Sequence, residues 1–317
     1  MQRPRIVFMG TPALAVPSLE ACQALGDVVA VVTQPDRPRD RGQAVQASPV
    51  KEAALASGLQ VLQPPRLKGT DFASTLAALK PEVAVVTAYG RILPEEVLAV
   101  PVRGCLNVHA SLLPRWRGAA PIQWAIAEGD SVTGVCLMRM EAGLDTGPVL
   151  EARQEAILQA DTAETLGRRL ALLAGQLLRE TLPRYLEGLL VAVPQPAVGI
   201  TLARLVEKND GWLDFAQPAQ VLERRRRAFT PWPGAWTTLD GHVLKVHSAE
   251  VGAGRGPPGT VLSTEAALEV ACAESSLLIL EVQPEGKRRM GVKDFLRGHR
   301  LEPGTRPFGP PQRTVPP

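Results

Sequence analysis

The sequence predicts an α/β domain followed by a small antiparallel β-barrel, and three observations carry that expectation. In the first two thirds, short runs rich in Val and Ile alternate with helical segments, the pattern of a parallel sheet covered on both faces. After about residue 207, short strands are split by Gly, Pro and Asp with no long helix between them, the pattern of a barrel. The length, 317 residues, is too great for one ordinary core and sufficient for two.

Arg5 to Met9 is an apolar run ending in Gly10, a buried strand by its length and flanks. Thr11 is placed to cap the following helix, with Pro12 at its first position. Asp27 to Thr33 is a second β-branched run, and residues 34–49 form a long polar loop. A helix, a strand near Leu59 to Leu62 and a helix over about 70–80 come next. Val83 to Thr87, Cys105 to His109, Val132 to Met140 and Gly147 to Ala152 are further strands. Leu166, Leu170, Leu173 and Leu177 share one helix face, which packs on the sheet. Residues 190–206 hold two prolines and little charge and are expected to link a domain of 1–189 to one of 207–317. In the latter, Leu239 to Val251, Thr260 to Leu262, Leu268 to Ala271 and Leu277 to Val282 are the strands. The tail from Glu302 holds six prolines and is expected to lie loose.

Composition narrows the function classes. Apolar residues make up 45% and charged residues 21%, which excludes a disordered or fibrous chain. The net charge is +3, so a polyanion has to be met by a local patch. Arg outnumbers Lys by 28 to 7, and Asn107 and Asn209 are the only asparagines. A GC-rich genome produces that skew, and so does selection against heat-labile amides, as in a thermophile. The four cysteines are far apart and no His stands beside them at ligand spacing, so reduced, buried thiols are expected rather than a zinc site or disulfides. The N-terminal apolar run is too short for a signal peptide, and no apolar stretch reaches the ~20 residues of a membrane helix. A cytoplasmic protein is expected.

The densest cluster of chemically capable residues is Cys105 to Pro121. Asn107 and His109 stand two apart at the end of a strand, so both side chains point to one face. In an open parallel sheet the carboxyl ends of the strands line the ligand crevice. Asn is an uncharged donor for a developing oxyanion, and His is a second donor or a base. A hydrogen-bonded Asn and a capped His at a strand end is the competing reading. A chain nearly devoid of Asn keeps one here, and the Gly-rich run Glu141 to Gly147 places Asp145 at the same end of the sheet. An Asp there can orient an imidazole, or can merely close the turn. Ser111 is not framed by G-x-S-x-G, and neither a dinucleotide fingerprint nor a phosphate-binding P-loop is present.

The stretches NVHASLLPRWRGAAPIQ (107–123) and GLDTG (143–147) resemble the folate-dependent formyltransferases. FMGTP (8–12), TQPDRP (33–38), SPVK (48–51), AYGRILP (88–94) and AFTPWPGAW (228–236) are similar too, in order and over nearly the whole chain. The resemblance implies a Rossmann-like parallel or mixed sheet as the catalytic domain, a C-terminal barrel of OB type, and a monomer. It also implies a reaction without a metal: the formyl group of 10-formyltetrahydrofolate moves to the α-amine of methionine esterified to initiator tRNA. Asn107 and His109 are then the donors to the oxyanion, and Asp145 holds His109. By the same resemblance Ser111, Leu112, Leu113 and Pro114 line the tetrahydrofolate site, with a cis bond before Pro114, and backbone groups of Arg91 and Leu93 read the pteridine.

Arg37, Arg39 and Arg41 alternate along the 34–49 loop, with Gly42 as a hinge. Three guanidiniums there suit a phosphate clamp, and the family inserts this loop into the acceptor end of the tRNA. The family's lysine pair is replaced here by Gln43 and Ala44, so the three arginines carry the loop's charge. Arg224 to Arg227 cover most of a helix circumference and cannot all face one partner; contact with RNA and plain solvation both stay open. Trp232 and Trp236 flank a Pro-Gly turn and are expected in a domain-interface core. Residues 207–317 hold 15 basic and 13 acidic side chains, too even to announce RNA binding. Rival readings are a sugar-nucleotide formyltransferase or a formyltetrahydrofolate hydrolase with the same three residues, against which Trp116 and the 34–49 loop argue. A non-catalytic RNA-binding protein is a further rival, against which the intact Asn107, His109 and Asp145 argue.

Overall fold

The computed structural model describes residues 3–39 and 44–309. The chain divides into two compact units. The first comprises Met1–Pro121, Ser131–Ile157 and Leu166–Arg204, and the second Ile122–Asp130, Leu158–Thr165 and Leu205–Pro317. The second unit thus takes in two short excursions, 122–130 and 158–165, besides the C-terminal third.

The chain runs β1 (Arg5–Gly10), α1 (Val16–Leu25), β2 (Asp27–Val32), β3 (Arg37–Arg39), β4 (Ala44–Gln46), α2 (Pro49–Ala56), β5 (Val61–Leu62), α3 (Phe72–Ala78), β6 (Val83–Thr87) and α4 (Glu95–Leu98). It continues through β7 (Cys105–His109), β8 (Arg117–Gly118), α5 (Pro121–Glu128), β9 (Val132–Arg139), β10 (Val149–Ala156), α6 (Ala163–Leu186) and β11 (Leu202–Ala203). Seven of these strands form one sheet in the order β10-β9-β7-β6-β1-β2-β5. The five strands from β7 to β5 are parallel, β9 runs antiparallel to β7, and β10 runs antiparallel to β9. Every residue of β6 is buried, as a central parallel strand covered on both faces requires. Val7, Leu76, Val86, Leu93 and Val97 belong to the cluster on one face.

Local signals were overridden in two places. Thr11 does not cap a helix: its hydroxyl donates to the carbonyl of Tyr89 at 3.1 Å, and α1 starts only at Val16, with Pro17 in its first turn. The 34–49 segment is not all loop, since β3 and β4 pair in antiparallel fashion and Ser48 caps α2 by accepting from the Lys51 N–H. Residues 190–204 of the expected linker belong to the first unit, with Val193 bridging Val149 and β11 pairing with β8.

The second unit is built on a sheet of strands β12 (Ala235–Leu239), β13 (His242–Gly252), β14 (Val261–Ser263), β15 (Leu268–Ala271), β16 (Ser276–Pro284), β17 (Met290–Gly291) and β18 (Phe308–Gly309), with helices α7 (Ala219–Ala228) and α8 (Val292–Gly298). The strand order is β14-β15-β16-β13-β12-β18, all antiparallel, with β17 on β16. Leu222 of α7 and Phe295 of α8 bury against Leu244, Val270, Ile279 and Val282. The tail is not loose as far as Gly309. Gly304 donates to the Val261 carbonyl and Val261 donates to Thr305, while β18 pairs with β12. One segment therefore touches both outer strands, and the sheet curls toward closure.

Three of the four consecutive arginines have partners within this unit. Arg226 and Arg227 both pair with Glu223, Arg227 is buried and also donates to the Asp161 carbonyl, and Arg225 donates to the Asp210 carbonyl. Trp236 is buried and donates to the Lys208 carbonyl, but Trp232 is 56% exposed and so is not core. All four cysteines are free and buried, and burial pushes the thiol of Cys136 up to about 11 and those of Cys105 and Cys272 up to about 12. Among the described residues no helix is long and apolar enough to cross a membrane.

Gly175 sits mid-helix in α6, where Ala ordinarily gains about 1 kcal/mol. Here a Cβ would meet the Pro17 carbonyl oxygen at 2.8 Å. Overpacking costs about 1–3 kcal/mol, so Gly175→Ala should lower the urea midpoint rather than raise it.

Candidate active site

β7 is flanked by β6 on one side and β9 on the other, which places Asn107 beside Val86 and Met138, and His109 beside Cys136. Strand periodicity turns the side chains of Asn107 and His109 to the same face. Asp145 comes from the turn between β9 and β10. Its φ of 49° is left-handed, a conformation Asp adopts more readily than most residues. The turn closes tightly: a Cβ on Gly147 would stand 1.8 Å from the carbonyl oxygen of Arg139, so glycine is required.

The three side chains converge. Asn107 Nδ2 donates to Asp145 Oδ1 at 3.2 Å, and Asp145 Oδ2 lies 3.6 Å from His109 Nδ1. Oδ2 also accepts the backbone N–H of Gly118 at 2.8 Å. His109 Nε2 stands 2.8 Å from the carbonyl oxygen of Trp116. A carbonyl only accepts, so Nε2 carries a hydrogen, and Nδ1 is the nitrogen free to gain or lose one. His109 and Asp145 side chains are 6% and 14% exposed, so these contacts act in a medium poorer in water than the surface. Asn107 keeps its second amide hydrogen after serving Asp145.

The segment after β7 builds the wall opposite Asp145. Ser111 is fully buried and donates to the Arg115 carbonyl at 2.6 Å, closing a turn that contains the cis Leu113–Pro114 bond. Leu112 packs against Gly134 of β9. Trp116 takes a φ of 62°, with the Arg115 guanidinium 4.4 Å from its ring centroid. These positions present the Trp116 carbonyl to His109 and the Gly118 N–H to Asp145.

The other expected residues fall nearby or elsewhere. Arg91 and Leu93 follow β6, next to β7. The Arg91 guanidinium donates to the carbonyls of Pro64 and Pro65, and Leu93 is core. Arg37 and Arg39 are the end residues of β3, while Arg41 and Gly42 lie outside the described residues. The foot of that segment is tied down. Gln63 bridges Asp36 and Lys51, which also pair with each other, and Gln34 donates to the Tyr89 carbonyl at 2.9 Å. The Lys51 and Gln63 hydrogen bonds hold the Asp36 carboxyl below its ordinary range. Among the described residues, no group of three or more His, Cys, Asp or Glu is arranged to hold a metal ion.

Sequence reasoning missed Gln195 and Thr201. Gln195 Nε2 donates to the carbonyls of Asp145 and Gly147 at 2.7 and 2.8 Å, and its Oε1 accepts from Arg117. Thr201 Oγ1 accepts the Trp116 N–H at 2.9 Å. Both residues stand in the stretch read as a linker, and no local spacing signals their role.

Comparison with known proteins follows the same division. Residues 4–182 match the family model for formyl transferases, and residues 205–300 that for the formyl transferase C-terminal domain. The methionyl-tRNA formyltransferase of Myxococcus xanthus is 60% identical over 309 residues, covering 97% of this chain and 99% of that one. The enzyme of that name from Caldanaerobacter subterraneus is 50% identical over 305 residues, covering 95% and 99%. Among solved structures, the N-formyltransferase of Helicobacter canadensis in complex with folinic acid and dTDP-3-aminofucose has the same fold (TM-score 0.67, 18% identity, 90% of this chain and all of that one). HypX of Aquifex aeolicus in complex with tetrahydrofolic acid is also similar (TM-score 0.64, 18% identity, 93% of this chain and 47% of that one).

Asp145→Ala should leave the Gly118 N–H and the Asn107 amide without their acceptor. The expected loss, about 1–3 kcal/mol, is read by denaturant unfolding; unchanged stability would mean that water replaces the carboxylate at no cost.

Proposed function

The chain belongs to the formyl transferase family, and on that footing we propose that Asn107, His109 and Asp145 are the residues with which it moves a formyl group from 10-formyltetrahydrofolate to the α-amine of methionine carried by initiator tRNA. The observation that carries this reading is the convergence of those three side chains at the carboxyl end of β7, in a chain that matches methionyl-tRNA formyltransferases over nearly their full length. The product is the charged tRNA that starts protein synthesis.

The donor set fits a folate co-substrate. An uncharged amide hydrogen and an imidazole nitrogen face one region, and a carboxylate lies behind them. The folate supplies the formyl carbon on a nitrogen that can leave. Asn107 gives its second amide hydrogen to the formyl oxygen as negative charge builds there, and protonated Nδ1 of His109 gives another. Asp145 holds both donors in place. One C–N bond forms and one breaks, and one proton travels from the incoming amine to the departing nitrogen. Asp145, Nδ1 of His109 or a water beside them holds it on the way. Ser111 to Pro114 and the backbone of Arg91 and Leu93 line the folate site, and Arg37, Arg39 and Arg41 grip tRNA phosphates.

The test is to incubate the protein with formyl-labelled 10-formyltetrahydrofolate, methionyl initiator tRNA and a UDP-amino-sugar. Label on the tRNA is expected; label on the sugar, or released formate, would replace this reading with a rival. Asn107→Ala should cut turnover about 10²- to 10³-fold, the usual worth of one oxyanion donor. With three phosphate contacts, KM for the tRNA should rise about 20- to 40-fold between 50 and 200 mM salt. A KM that does not move with salt would remove the arginine clamp.

A further inference from the structure

Gln195 is the best-connected polar side chain near the site that the chemistry above leaves unused. Its orientation is fixed without ambiguity. Arg117 has only donors, so the atom facing it is the amide oxygen, and the carbonyls of Asp145 and Gly147 only accept, so the atom facing them is the nitrogen. The Arg117 contact is bidentate, 3.1 Å from Nε and 2.7 Å from Nη2, and its charge polarises the amide and strengthens the two bonds that the amide donates. Those two bonds fall on both sides of Thr146, and so clamp the turn in which Asp145 sits at φ 49°.

The same stretch braces the other wall. Thr201 holds the Trp116 N–H, and β11 pairs with β8, the strand whose Gly118 N–H reaches Asp145. Arg117, which grips Gln195, is the residue beside Gly118. The two walls that meet at Asp145 are thus fastened to each other through one amide side chain.

We propose that Gln195 is a positioning residue: it locks the Asp145 turn to β8 and thereby sets the geometry of Asp145 against Asn107, His109 and Gly118. The kinetic part of its test rests on the function proposed above; the exchange part does not.

Gln195→Met keeps the length and removes every hydrogen bond, and Gln195→Glu keeps the acceptor for Arg117 but sets an oxygen against two carbonyl oxygens. Both should lower kcat about 10- to 100-fold, the cost of misplacing a reacting group by a fraction of an ångström to an ångström, with KM for either substrate little changed. In an Asp145→Asn background, Gln195→Met should add less than a further threefold, because residues acting through one group are not additive. Full kcat in Gln195→Glu, or the same loss in both backgrounds, overturns the proposal. Independently, amide hydrogen exchange at Gly118 should quicken at least tenfold in Gln195→Met while the amides of β6 keep their protection. An unchanged Gly118 amide overturns the proposal, and so does a uniform rise across the sheet, which would make Gln195 a general stabiliser. If the wild-type protein forms no formylated tRNA, the function fails and the exchange result alone decides the role of Gln195.

Discussion

Asp145 gathers donors that a mostly buried site could not leave unpaired. Its two oxygens take the Asn107 amide and the Gly118 N–H, and one of them faces the His109 ring. Two of those groups come from β7 and the third from β8, and each loses water when the turn after β9 closes over β7. An unpaired polar group in such a place costs about 1–3 kcal/mol, so the carboxylate that gathers them organises the fold locally as well as chemically. The backbone obliges: a left-handed Asp and an obligatory glycine at 147 bring the carboxylate to the strand end.

Structure that follows from local pattern was legible in the sequence. The runs Val83–Thr87 and Cys105–His109 are strands with the boundaries their composition suggests, because a fully buried parallel strand needs a continuous apolar run. Asn107 and His109 could be paired from period two alone. Asp145 could be placed at the same sheet end from its turn, though not aimed. Thr11 misled because its hydroxyl serves distant segments instead of a local cap: the oxygen accepts the Gln34 N–H and the hydrogen goes to the Tyr89 carbonyl. Gln195 gave no sign: it stands 50 residues from Asp145 in a stretch whose composition says linker. The tail after Glu302 was misread for a similar reason, since its ladder partners lie about 40 to 70 residues away.

Charge behaves as a local property here. The run Arg224–Arg227 is the most basic feature of the sequence, yet Arg226 and Arg227 share Glu223, and Arg227 is buried. A buried guanidinium needs its partners and cannot be lent to a phosphate without losing them. Arg37 and Arg39 belong to another segment, β3. That strand grows from a foot in which Asp36, Lys51, Gln63 and Gln34 tie the chain to the carbonyls after β6, so the segment is joined at its base to the end of the sheet where the reaction is proposed.

The segment 304–309 lies against both outer strands of the second unit, meeting Val261 on one side and Thr238 and Leu239 on the other. Those strands would otherwise be two bare edges, each offering free N–H and C=O groups to any extended chain that drifts past. This short stretch of backbone therefore works as a seal. A chain clipped by a protease just before Gly304 would carry two sticky borders, and its failure would take the form of molecules zipping onto one another rather than simple unravelling.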